Sequence, residues 1–200
     1  MDWQERYEAD DTPWDKGAPA PSLIDLFQSH SSYFTQEMSV MVPGCGLGHD
    51  ALAIARLGSS VTGIDISTFA VDEATRRAVD FENANFLEAD IFGLSEALLA
   101  AFDLVWEHTC FCAINPDRRL DYIRSMWRSL KPGGCLMGVF FVKPDVEEGP
   151  PFGADLDEIV TLFDPYFTLE WESEPLRFYE GREGRERLIC FRRRNSGPSG

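Results

Sequence analysis

The sequence predicts an α/β protein: a doubly wound, mostly parallel sheet of about seven strands, helices on both faces, and an antiparallel strand at one edge. Two observations carry this. From Ser39 onward, short apolar or β-branched runs alternate with segments of helical period through short connections, and parallel strands require such crossovers and cover on both faces. The last two apolar runs are joined only by the turn-rich EPLRFYEGREGRE, which suits an antiparallel pair.

The first strand is SVMVP, from Ser39, followed by the glycine loop GCGLG. DALAIARLG has the apolar spacing of a short helix and closes on Gly58, a glycine stop. SSVTGIDIS is the second strand and ends in Asp65; FAVDEATRRAVDFEN is the next helix; ANFLEADIF is the third strand with its exit loop. FDLVWEHTCFCAI, residues 102–114, is a fourth strand running into a loop. PDRRLDYIRSMWRSL is a helix with Pro116 in its first turn, closed by KPGG. A buried strand, CLMGVFFV, begins at Cys135; LDEIVTLFDPYF is a helix ending before Pro165; TLEWE and RLICFRRR are the final strands. Residues 1–38 carry Trp3, Tyr7, Trp14 and Phe27, too aromatic for a disordered tail. They are expected to fold over one end of the sheet as a lid within a single domain, 1–194, and residues 195–200 (NSGPSG) to form a flexible tail.

The formal net charge is −16, which opposes binding to nucleic acid or anionic membranes, because phosphate-binding surfaces gain affinity by presenting Lys and Arg. No apolar run approaches the roughly 20 residues that span a bilayer, and the N-terminal MDWQERYEADD is acidic where a signal peptide is basic. A soluble, cytoplasmic monomer is expected. Five cysteines (Cys45, Cys110, Cys112, Cys135, Cys190) make an odd count and are read as reduced. Cys110 and Cys112 form a CxC pair, but no second Cys or His cluster stands at ligand spacing, so no metal site is expected.

Chemistry concentrates in VPGCGLGHD, residues 42–50. In doubly wound sheets the ligand sits beyond the carboxyl ends of the strands, and the first strand-to-helix loop is its usual place. Gly44, Gly46 and Gly48 lie in that loop, where glycine admits positive φ and close backbone approach. Asp65, followed by Ile66, ends the next strand, where a carboxylate can accept hydrogen bonds from ribose hydroxyls. A nicotinamide dinucleotide and S-adenosylmethionine both suit this geometry. The dinucleotide fingerprint GxGxxG would place its third glycine at position 49, where His49 stands. Asp50 would also repel a pyrophosphate at the helix N-terminus, whereas a methionyl ammonium would not be repelled. Asp90 follows the third strand, where it can reach an adenine amino group while Ile91 and Phe92 pack on the ring; capping of the next turn is its alternative role.

The motifs DTPWDKG (11–17), VPGCGLGHD, FCAINPDRR (111–119), LKPGG and GPPF (149–152) occur in the order seen in the thiopurine methyltransferase-like family of class I S-adenosylmethionine-dependent methyltransferases. The sequence resembles that family from about Trp3 to Arg194, and most of all its thiol and halide methyltransferase branch. The resemblance implies a Rossmann-like fold with S-adenosyl-L-methionine as cofactor and a small thiol or anion as methyl acceptor. It also implies cofactor contacts from Trp3, Tyr7, Trp14, Gly44, Asp65, Asp90, Ile91 and His108. Gly46 and Ile66 join them by position, and Glu107, at the end of the fourth strand, either meets the methionyl ammonium or is a solvated loop carboxylate. Trp14, His108 and Phe141 are the resemblance's catalytic-side candidates. Phe141 and Phe152 stand where the plant enzymes have Tyr, which makes the acceptor pocket more apolar.

A soft anion needs no proton removed, and an ordinary thiol with pKa near 8.5 is partly thiolate at neutral pH, so no catalytic triad is expected. His108 can act as base toward a thiol or serve as a hydrogen-bonded structural residue. Arg118 and Arg119, opening a helix, are expected to face solvent. Thiopurine or aromatic-thiol methylation is the alternative within the fold, and a non-catalytic S-adenosylmethionine-binding protein the alternative outside catalysis.

Overall fold

A computed structural model describes residues 1–142 and 149–197. Its seven strands are β1 (Ser39–Pro43), β2 (Ser60–Asp65), β3 (Ala84–Glu88), β4 (Phe102–His108), β5 (Leu130–Phe141), β6 (Phe167–Ser173) and β7 (Glu186–Arg193). They form one sheet in the order β3-β2-β1-β4-β5-β7-β6. β1 to β5 are parallel, and β7 runs antiparallel to both β5 and β6, so the expected antiparallel pair closes one edge. Among the described residues six α-helices accompany them: α1 (Trp3–Glu8), α2 (Pro21–Ser29), α3 (His49–Ala55), α4 (Thr68–Arg77), α5 (Arg119–Ser129) and α6 (Leu156–Phe163). No described helix is long and apolar enough to cross a membrane.

The period of two along each strand divides the interior into two layers. Val40, Val42, Leu104, Trp106, Met137 and Val139 face α2, α3 and α4. Met41, Val105, Leu136 and Phe140 face α5 and α6, where Phe163 stacks on Phe191 with centroids 4.5 Å apart. Both faces are therefore covered, as a parallel sheet requires. The chain moves outward from β1 through β2 to β3 and returns to lay β4 on the other side of β1. That reversal opens a crevice at the carboxyl ends of β1 and β4.

Several boundaries differ from expectation. KPGG is part of β5: Phe102 pairs with Leu130 and Leu104 with Cys135, so Lys131–Gly134 bulges within the strand. α4 ends at Arg77 instead of continuing to Asn83. Asn83 has another task there, its amide donating to the carbonyls of Ala55 and Ser59 at 2.8 Å each. Pro116–Arg118 form a separate 3-10 turn before α5. Arg119 does not face solvent: it is 2% exposed and reaches Glu158 of α6 at 2.8 Å. Within the expected tail, Gly197 lies against Tyr166 and Trp127, and residues 198–200 fall outside the described residues.

Candidate active site

The crevice is a cavity of about 390 Å³, bounded by the β1 loop, the exits of β2, β3 and β4, the N-terminal arm and the β6–β7 connection. Gly44 and Gly46 take φ of +57° and +51°. A Cβ on Gly44 would stand 3.0 Å from Cys110 Sγ, and one on Gly46 would stand 2.9 Å from Tyr7 Oη. Side chains at these positions would clash as well as strain the turn, so the loop presents bare backbone to the cavity. Asp65 holds the loop in place, its Oδ2 accepting from Gly46 N at 2.9 Å and its Oδ1 from Ser67 N at 3.0 Å. Burial raises the Asp65 carboxyl above its ordinary pKa despite these bonds. Ile66, Asp90 and Ile91 line the same end. Asp90 also fulfils its capping role, accepting from Phe92 N at 2.9 Å.

The arm roofs this end. Trp14 packs edge-to-face on Trp3 at 5.1 Å and on Tyr7 at 5.7 Å, and its indole N–H donates to Tyr7 Oη at 3.2 Å. Tyr7 stacks on Phe69 at 6.0 Å. The Arg6 guanidinium lies 4.4 Å from the Trp14 ring, so one face of that indole already holds a cation.

The opposite wall is built around Asp50, only 8% exposed. Its Oδ1 accepts from Ala20 N at 2.7 Å; its Oδ2 accepts from Trp106 Nε1 at 2.8 Å and lies 2.9 Å from His108 Nδ1. Burial alone would raise the Asp50 carboxyl, but the His108 charge and these donors hold it below its usual range. His108 stacks on Tyr179 at 6.1 Å and 20°, and Tyr179 Oη donates to Ala18 O at 2.6 Å. Arg182 completes the wall and pairs with buried Glu186 at 3.0 Å.

Ten expected site residues therefore converge on the cavity: Trp3, Tyr7, Trp14, Gly44, Gly46, Asp65, Ile66, Asp90, Ile91 and His108. Two do not. Glu107, 1% exposed, points to the other face of the sheet. There it accepts from Cys110 N at 2.9 Å, Phe111 N at 2.8 Å and the Tyr122 hydroxyl, so its oxygens are engaged behind the cavity wall. Phe141 pairs across the sheet with Glu186 and lies 5.8 Å below the Arg182 guanidinium, outside the lining. Asp50, Tyr179 and Arg182 were not expected in the site. In the sequence Asp50 signals only its charge, and the other two lie in a connection without periodicity. Cys45, Cys110 and Cys112 line the cavity as neutral thiols; burial pushes Cys112 up to about 12 and the other two well above the usual thiol range. No group of three or more metal-ligating side chains occurs among the described residues.

A bare glycine loop beside the Asp65 carboxylate, an apolar end lined by Ile66 and Ile91 and an aromatic roof suits an adenosyl sulfonium better than a dinucleotide, because carboxylate Asp50 lies in the first turn of the helix behind the loop. Such a cleft at such a switch point, with this loop, is that of a class I methyltransferase fold. The fold is shared with a solved structure from work on conversion of a disulfide bond into a thioacetal group in echinomycin biosynthesis, with a TM-score of 0.79, 24% identity and coverage of 98% of this chain and 95% of that one. The chain itself belongs to the thiopurine S-methyltransferase family, whose model matches residues 1–175. Probable thiol methyltransferase 2 of Arabidopsis thaliana is 35% identical over 166 residues, 82% of this chain and 71% of the relative. Thiocyanate methyltransferase 1 of the same plant is 31% identical over 198 residues, 96% and 85% of the two chains. The protein is a methyltransferase, and the cofactor its cradle fits is S-adenosylmethionine.

Proposed function

We propose that the protein methylates a small sulfur or halide nucleophile: a thiol, hydrosulfide, thiocyanate or halide ion. In this reading residues 1–194 act as one monomeric, cytoplasmic domain with residues 1–38 closing over the cofactor; the five free thiols support a reducing compartment. The observation that carries the reading is that cofactor cradle and acceptor wall share a single cavity of about 390 Å³. That is near the lower end of the roughly 300–1,000 Å³ range for pockets holding one drug-sized ligand, so a cofactor of that size leaves room only for a small acceptor. The relatives named as thiol and thiocyanate methyltransferases agree with it.

The cofactor, once bound, supplies a methyl group already activated on a sulfonium. The protein's task is then alignment and exclusion of water. Asp65 and Asp90 fix the adenosine end, with Ile66 and Ile91 as its apolar walls. Gly44 and Gly46 admit the amino-acid end, and Trp3, Tyr7 and Trp14 cover the reacting atoms. Trp14 offers the sulfonium a cation–π surface, and His108 faces the acceptor. Arg182 and Lys16, both on the lining, draw an anion inward.

Ile114, Pro150 and Pro151 give the acceptor side an apolar stretch, which favours an aromatic thiol or thiopurine as the second reading. S-adenosylhomocysteine formation with iodide, chloride, thiocyanate, hydrosulfide, an aromatic thiol and a thiopurine in parallel separates the two. Turnover of the small nucleophiles is expected; turnover of the aromatic thiols alone would replace this proposal with the second reading.

A further inference from the structure

We infer that Asp50 and His108 form a proton-accepting dyad, that Asp50 is the positioning residue and His108 Nε2 the base, and that the preferred acceptor is therefore a protonated thiol. This rests on the small-nucleophile reading above and narrows it: halides and thiocyanate have no proton to lose, so a base is idle toward them.

The geometry comes first. Asp50 Oδ2 engages His108 Nδ1 at 2.9 Å, which favours the neutral tautomer with its proton on Nδ1 and a lone pair on Nε2. Nε2 has no hydrogen-bond partner among the described residues. His108 lines the cavity, and with Nδ1 turned to Asp50 the free ring nitrogen is Nε2. The ring cannot swing freely, because Tyr179 stacks on it. Asp50 cannot turn away either, since Ala20 N and Trp106 Nε1 hold its two oxygens. A carboxylate so anchored serves to orient an imidazole, as in other base–orienter pairs.

The electrostatic setting agrees. Burial lowers the His108 pKa, but the charge and hydrogen bond of Asp50, with Glu186 beyond, outweigh it and set the ring above its ordinary 6.5; Arg182 opposes them. Glu107 and Tyr179 are the other titratable neighbours. A raised imidazole lies closer to an ordinary thiol near 8.5, which makes proton transfer less uphill. The step balances: the acceptor S–H bond breaks and its proton goes to Nε2; a sulfur lone pair forms the new S–C bond. The carbon–sulfonium bond breaks with its pair retained by the departing thioether, and the imidazolium then releases its proton to solvent.

The test compares kcat/KM from pH 5.5 to 9 for one thiol, 2-mercaptoethanol, and for thiocyanate, in the wild type, His108→Gln and Asp50→Asn. The thiol profile of the wild type is expected to rise with pH through a midpoint above 6.5. His108→Gln should remove the imidazole limb, leaving only the rise that follows the thiol's own ionisation, and lower the thiol-to-thiocyanate ratio near pH 7 about 100-fold. Asp50→Asn should move the limb to lower pH. Because Asp50 also supports Trp106 and Ala20, imidazole ¹⁵N shifts of the wild type at pH 9 give a reading independent of that variant: Nδ1 should carry the proton and Nε2 none. An unaltered limb in His108→Gln, an equal loss for both acceptors, or the opposite tautomer overturns the dyad. Thiocyanate turnover persisting alongside such a result leaves the small-nucleophile reading standing. A wild type silent toward both acceptors and toward iodide, chloride and hydrosulfide, while binding cofactor, overturns that reading and the dyad with it.

Discussion

Gln4 caps a helix to which it does not belong: its side-chain carbonyl accepts from Ser67 Oγ at 2.7 Å and from Phe69 N at 3.1 Å. Ser67 is itself the N-cap of α4, accepting from Ala70 N at 3.2 Å. The arm is thus latched to the segment that follows Asp65, where the adenosine end of the cofactor is expected. A single neutral hydrogen bond contributes about 1 kcal/mol. Gln4→Ala is therefore expected to weaken S-adenosylhomocysteine binding about fivefold, measured by calorimetry. Cofactor should also protect the first 30 residues of the wild type, though not of the variant, from limited proteolysis. Equal cleavage with and without cofactor would show that the arm does not close on it.

Arg119 supports the Pro150–Pro151 side of the cavity from behind. Its guanidinium donates to Glu158 at 2.8 Å and to Gly153 O at 2.8 Å, and it lies 5.0 Å from the Phe111 ring. Arg119→Met keeps much of the volume but strips the Gly153 carbonyl of its partner, while Glu158, half exposed, returns to water. Leaving this half-buried acceptor unpaired costs about 1 kcal/mol, the low end of the range for an unsatisfied group, to be read from urea denaturation at pH 7. The 149–153 segment carries Pro150 and Pro151 into the cavity, so acceptor KM should rise while cofactor Kd stays put. A matched rise in both would contradict this placement.

The fold was legible because its two periods were. Val40, Met41 and Val42 alternate between the layers, and glycines bracket α3. The cofactor end was legible for the same reason: the loop and Asp65 are adjoining parts of one strand–helix–strand unit. The acceptor end was not. Asp50 finds Ala20, Trp106 and His108 at separations of 30, 56 and 58 residues, contacts that no local spacing encodes. Arg119 reads as a surface residue because arginine is rarely buried without partners, and its partners come from α6 and the segment before it. Glu107 was decidable in part: Trp106 and Glu107 alternate along β4, so the face that buries Trp106 against Asp50 turns Glu107 away.

That turn gives Glu107 a pH signature. Burial raises its pKa above the ordinary 4.5, against the lowering by Tyr122, Phe111 N, His108 and Cys110 N. The folded protein therefore keeps this proton to higher pH than the unfolded chain. Its contribution to stability is full below about 4.5 and is lost as pH rises through the folded pKa. Asp50 has the opposite sign, favouring the fold above its ordinary 3.8 and losing that as pH falls. Glu107→Gln removes only the first effect, so relative to this variant the wild type should lose stability between pH 5 and pH 8, as followed by urea midpoints. A constant difference across that range would mean that Glu107 titrates normally.

Tyr179 joins the β6–β7 connection to the arm through Ala18 O and to His108 through its ring, and the two substitutions at this position separate these roles. Tyr179→Phe removes the hydroxyl and keeps the stacked ring, so the connection loosens while His108 remains oriented. The expected result is a rise in acceptor KM of about fivefold, the equivalent of one hydrogen bond, with kcat within about twofold, since a change confined to KM reports lost uniform binding. Tyr179→Ala frees the imidazole as well, and kcat should then fall at least tenfold for a thiol acceptor, within the usual range for a displaced general base. Steady-state kinetics on the two variants checks the separation. If the Phe variant loses kcat as severely as the Ala variant, the hydroxyl and not the stacked ring is what orients His108.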